Sequence, residues 1–191
     1  MPDTLFAELA AAALSCGADH AAVVPVEKVE TDASFRKLCE SNACGNYGKN
    51  WRCPPYAGEI GDLIAELRSY RHMLVYQSIG RLEDSYDFEG MMAAGERHSL
   101  LTKEFIQKTE GDARLGRHVN LGAGGCRICP VCAKKDDLPC RHPDRAVTSM
   151  EAYGVNVSRL AAAAGMKYIN GQNTVTYFSG LLFDGPEESH E

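Results

Sequence analysis

Cys126, Cys129, Cys132 and Cys140 stand at the spacing C-x2-C-x2-C-x7-C within the run Gly122-Ala-Gly-Gly-Cys-Arg-Ile-Cys-Pro-Val-Cys-Ala-Lys-Lys-Asp-Asp-Leu-Pro-Cys-Arg-His-Pro143. Four soft thiolate ligands so close together in one loop, residues 122–143, point to a metal site. Iron-sulfur clusters are held by closely spaced cysteines, and the bacterial ferredoxin run opens with the same C-x2-C-x2-C. There the fourth cysteine follows after three residues and precedes a proline directly. Here Cys140 follows after seven, and Pro143 lies three positions beyond it. Zinc is the alternative, but structural zinc sites pair two C-x2-C units across a longer loop. Three cysteines each spaced by two residues suit three corners of a [4Fe-4S] cubane better than two zinc knuckles. Disulfides or free thiols are the third reading.

The charges nearby agree with an anionic centre. Between Cys126 and Arg145 the bases Arg127, Lys134, Lys135, Arg141 and Arg145 outnumber Asp136, Asp137 and Asp144 in a chain of formal net charge -6. Positive charge and backbone N–H groups near thiolates stabilise such a centre. Gly122, Gly124 and Gly125 permit a tight turn that lets backbone amides reach cluster sulfurs. A phosphate loop fails on spacing, since neither G-x-G-x-x-G nor a following Lys-Ser/Thr is present.

A second segment, Cys39-Glu-Ser-Asn-Ala-Cys44-Gly-Asn-Tyr-Gly-Lys-Asn-Trp-Arg-Cys53-Pro-Pro-Tyr56, carries three cysteines at C-x4-C-x8-C. Gly45, Gly48, Pro54 and Pro55 make it a loop, residues 39–56. Cys39, Cys44 and Cys53 are candidate ligands of a second centre. Its fourth position would fall to Cys16, a non-cysteine ligand, substrate or a cysteine of the other run; zinc, a redox-active thiol pair and buried structural thiols are the alternatives. Cys16, beside an alanine-rich helical face, reads as core.

The rest of the chain supplies a scaffold. Its 191 residues suffice for one domain, 1–191, with a sizeable core. An acidic balance without a long basic run argues against nucleic acid. No apolar run approaches a membrane span, and Met-Pro-Asp-Thr-Leu-Phe-Ala-Glu lacks the basic region of a signal peptide, so a cytoplasmic protein is expected. Eight cysteines in a reducing compartment read as metal ligands or redox centres.

Apolar spacing from Leu5 to Leu14 predicts a helix ending near Gly17, then a strand from His20 ended or interrupted at Pro25, a short helix before Cys39, and a helix through Ile60, Leu63, Ile64 and Leu67. A strand over His72–Ile79 follows, then a long helix from Met91 to Thr109 with Leu100, Leu101, Phe105 and Ile106 facing inward. Arg117–Gly122 is a strand that delivers the chain to the cysteine loop. Thr148 or Ser149 is expected to cap a helix running to Ala164, its positive end near that loop. Lys167–Asn170 and Thr174–Phe183 read as a hairpin, followed by a polar tail over the last eight residues. The fold class is α/β, with α+β as the alternative: a single domain whose mixed sheet of about four or five strands is flanked by helices.

Cys44-Gly-Asn-Tyr-Gly-Lys-Asn-Trp-Arg-Cys-Pro-Pro-Tyr56, Gly125-Cys-Arg-Ile-Cys-Pro-Val-Cys132 with Cys140-Arg-His-Pro143, and Ser149-Met-Glu-Ala-Tyr-Gly154 together resemble a family of small prokaryotic cysteine-rich proteins. That family is known as predicted metal-binding proteins, a domain of unknown function. The resemblance spans nearly the whole chain and implies metal ligands among the matched cysteines. It implies no reaction.

Three functions follow as expectations. One is electron transfer through one or two [4Fe-4S] clusters, with a redox protein as partner because no dinucleotide fingerprint is present. Another is an enzyme whose open iron binds a small-molecule ligand or substrate. The last is a zinc-stabilised binding or assembly module.

Overall fold

The computed structural model describes residues 2–186. In chain order the regular elements are α1 (Pro2–Ser15), β1 (His20–Pro25), α2 (Arg36–Glu40), α3 (Ile60–Arg68), β2 (His72–Arg81), α4 (Phe88–Thr109), β3 (His118–Gly122), β4 (Thr148–Ser149), α5 (Val157–Ala163) and β5 (Thr174–Phe183), with short 3-10 turns between them. The strands form one mixed sheet in the order β1-β2-β5-β3-β4, giving a single α/β domain. Only the β3–β4 pairing is parallel; the others are antiparallel.

Sequence dictates which strands lie inside. His72-Met-Leu-Val-Tyr-Gln is apolar at successive positions, as a strand covered on both faces must be. Met73 and Val75 join Val24, Leu121, Phe178 and Leu182 under α3, α5 and the turn holding Tyr153. Leu74 and Tyr76 join Leu181 and Phe183 on the opposite face, under Leu5, Leu9 and Ala13 of α1 and Leu101 and Phe105 of α4. The result is helices, sheet, helices. Each fully buried leucine or phenylalanine contributes about 1.5–3 kcal/mol by leaving water. Cys16 belongs to the second of these cores.

Several expectations change. Leu100 is 63 % exposed and Leu14 46 %, because only one stripe of each helix meets the sheet. The helix expected from Thr148 to Ala164 is broken. Thr148–Ser149 pairs beside β3, a 3-10 turn follows over Glu151–Tyr153, and Gly154 takes φ +70. Tertiary hydrogen bonds compete with helix there: Asp32 N–H donates to Gly154 O at 2.7 Å and Asn156 N–H to Glu30 O at 2.9 Å. The helix begins only at Val157, where Asn156 Oδ1 accepts from Arg159 N–H. Gly165, at φ +70, ends it as expected. The hairpin is also absent, since residues 167–170 form no strand and β5 pairs instead with β2 and β3. Of the expected tail, Asp184 is tied by an ion pair to Arg117 at 3.0 Å and Gly185 N–H bonds to Leu115 O; residues 187–191 lie outside the described residues. No helix among the described residues is long and apolar enough to cross a membrane.

Candidate metal centre

β3 ends at Gly122 and releases the chain into residues 123–147, where strand pairing stops and short turns take over. Around Cys126, Cys129, Cys132 and Cys140 the chain wraps a small cavity of about 20 Å³, which all four line, together with Asn50, Trp51 and His142. The Cys126 sulfur accepts from the backbone N–H groups of Ile128 and Val147. Burial pushes the Cys126 thiol up, Cys132 and Cys140 nearby push it the same way, and those two amides pull against them. Gly124 makes the turn at φ +69, Gly125 lies against the Asn46 side chain so closely that a Cβ would sit 2.8 Å from it, and the donated amides belong to Ile128 and Val147.

The first cysteine segment folds onto the second. Asn50, 4 % exposed, donates from Nδ2 to Cys126 O at 3.1 Å across 76 residues of chain, while its Oδ1 accepts from Arg52 N–H. Trp51 Nε1 donates to Leu138 O at 2.8 Å, and Arg52 donates to Pro143 O. Trp51 and Tyr56 meet edge to face at 5.1 Å, with the Lys134 ammonium over both rings at 4.9 and 4.5 Å. Lys134 also pairs with Asp137. This clasp of rings and cation ties the first cysteine segment to the second.

Cys39 lies in the last turn of α2, Cys44 is exposed, and Cys53 is 8 % exposed. Burial raises the Cys53 thiol to about 12, and Cys44, Cys39 and Cys126 add to that rise. The Cys126 N–H donates to the Cys53 sulfur, so Cys53 is where the two segments touch. Burial also raises the Cys39 thiol, and Arg36 opposes the rise. Seven cysteines therefore neighbour one another, whereas Cys16 sits under α4 beside Glu104 and Lys108. Among the described residues no three His, Cys, Asp or Glu side chains converge closely enough to enclose a single metal ion.

The local charges divide into two kinds. Arg145 pairs with Glu110 at 2.7 Å, Arg141 donates to Val131 O, and Lys134 is engaged in the clasp. Arg127 and Lys135 instead face an open cleft beside Cys126, Cys129 and Cys132. Neither His98 nor His118 joins the cysteines. His98 is buried between Ser78 and Ser179, and His118 Nδ1 lies 2.9 Å from Gly116 O. Asn50, which bonds to Cys126 O, and Asn46, which packs on Gly125, were passed over by sequence reasoning, and Lys134 was read only as a base near an anionic centre; all three sit where the two segments meet. Their signal was faint: polar residues interleaved with the cysteines.

An α/β sheet whose strand end opens into two interlocked cysteine segments defines a cysteine-rich α/β domain. The chain belongs to the family described as predicted metal-binding protein (DUF2284), whose model matches residues 22–183 and so takes in both segments and all strands but the start of β1. That description names neither a metal nor a reaction. No curated protein and no solved structure matches the chain.

Proposed function

We propose that the protein is a [4Fe-4S] protein of electron transfer, with Cys126, Cys129, Cys132 and Cys140 as cluster ligands and Cys39, Cys44 and Cys53 as ligands of a second centre. The observation that carries this reading is the set of four cysteines lining one cavity, with two backbone N–H groups already aimed at one of the sulfurs. Such amide–sulfur hydrogen bonds stabilise added negative charge and raise a cluster's potential. A cluster bound there would take up and release single electrons. The chain's own part is to hold the sulfurs, to tie the two segments together with Trp51, Tyr56 and Lys134, and to join the two sets of cysteines through the Cys126 N–H and Cys53 sulfur contact. A redox protein is the partner proposed, and the cytoplasm the compartment.

Iron, acid-labile sulfide and zinc per chain, measured on protein purified without oxygen, test the reading. About four irons and four sulfides are expected for one cubane, and about eight of each if Cys39, Cys44 and Cys53 hold a second. Cys129→Ala should lose iron and labile sulfide, while Cys16→Ala should retain both. Zinc without sulfide would replace electron transfer with a structural or hydrolytic site.

A further inference from the structure

The open cleft beside the cysteines has a volume of about 490 Å³ and draws its walls from three parts of the chain. Lys49 comes from the first cysteine segment, Lys103 from α4, and Arg127 and Lys135 from the second segment; Glu96 is the one carboxylate facing them. Among the described residues none of these four cations has an ion pair or a side-chain hydrogen bond. Elsewhere in the molecule Arg114, Arg117 and Arg145 are each matched with carboxylates at 3.0 Å or less. In a chain of net charge -6, four unmatched cations converging on one concavity repel one another and attract anions. Lys103 is half-buried and, like Arg127, also lines the smaller pocket beneath the cleft, next to His98 and Gly125.

We propose that this cleft binds a small molecule carrying at least two negative charges, as phosphate or carboxylate, with the charged end between Lys103 and Arg127 and the remainder toward the cysteines. The concavity is of the size that encloses small ligands, and its apolar wall from Leu100, Pro130 and Val131 would cover the uncharged part. The proposal goes beyond the metal reading and holds whichever metal the cysteines take.

Isothermal titration of the metal-loaded protein with sodium tripolyphosphate and, separately, with citrate tests it. At least one should bind, more weakly as salt is added. Lys103→Gln and Lys49→Gln should each weaken binding about tenfold, and Lys28→Gln, on the surface between β1 and α2, should leave it unchanged. Binding of tripolyphosphate alone assigns a phosphate ligand, of citrate alone a carboxylate, and of both a site that reads charge. If neither binds, or if Lys28→Gln weakens binding as much as Lys103→Gln does, the proposal is overturned. Metal analysis of the same samples separates the two readings. Metal-replete protein that binds neither anion removes the cleft and leaves the centre, whereas protein that binds an anion without holding metal does the reverse.

Discussion

His98 shows how one residue's environment fixes its chemistry. On α4 it is 1 % exposed, with Ser78 Oγ at 2.8 Å from Nδ1 and Ser179 Oγ at 2.8 Å from Nε2, and Thr102 Oγ1 3.2 Å from Ser179. These partners are neutral, so burial alone holds its pKa down at about 4, below the ordinary 6.5. As pH falls the unfolded chain takes up this proton first. The contribution to stability is therefore complete above pH 6.5 and is lost as pH drops through 4. A loss of ~3 kcal/mol is expected over that window, measured as a fall in urea-unfolding free energy that disappears in His98→Asn. An NMR titration of the His98 ring with a midpoint near 6.5 would remove the argument. Its burial depends on α4 packing over the adjacent strands β2 and β5, which supply Ser78 and Ser179, and no local sequence pattern encodes that.

Among the elements, α5 is the one whose start was misread. Thr148 and Ser149 are strong cap residues ahead of Glu151, and that local signal suggested a helix start. The structure uses Ser149 differently, its Oγ accepting from Ala152 N–H at 3.1 Å to close a single 3-10 turn. Two contacts decide the outcome: Gly154 presents its carbonyl to Asp32, and Asn156 caps the true helix. Asn156→Ala should cost ~1 kcal/mol, as loss of a cap does. Gly154→Ala should cost more, ~1–3 kcal/mol, since its φ is +70 and the added Cβ would lie 3.0 Å from Asp32 O. Thermal unfolding of both variants checks the order. A Gly154→Ala protein as stable as the parent would show that the turn does not need its left-handed residue.

For the whole molecule, stability divides between sheet and cysteine segments. The sheet has two cores, on opposite faces, made of fully buried side chains such as Leu67, Leu74, Phe105 and Leu160. Residues 41–56 and 123–147 have little regular structure beyond turns and are joined by a few side-chain bonds, so metal ligation would contribute much of their order. Removing metal with an anaerobic chelator is expected to raise amide hydrogen exchange in both segments by at least tenfold and leave β2 and β5 protected. Equal exchange with and without metal would show that the clasp of Asn50, Trp51 and Lys134 suffices alone.

What the sequence determined by itself is local. The C-x2-C-x2-C-x7-C spacing places four thiols within 15 residues of each other, and the apolar periods of residues 5–13, 63–67 and 72–79 specify α1, α3 and β2 through contacts a few positions apart. What only the tertiary structure decided is non-local. The sheet order that puts β5 between β2 and β3, the meeting of Asn50 with Cys126 and of Trp51 with Leu138, and the gathering of Lys49, Lys103, Arg127 and Lys135 around one cleft each join distant parts of the chain. Bringing such parts together costs loop-closure entropy that no neighbouring residue repays; packing of the finished sheet does, and packing is not written in any single stretch.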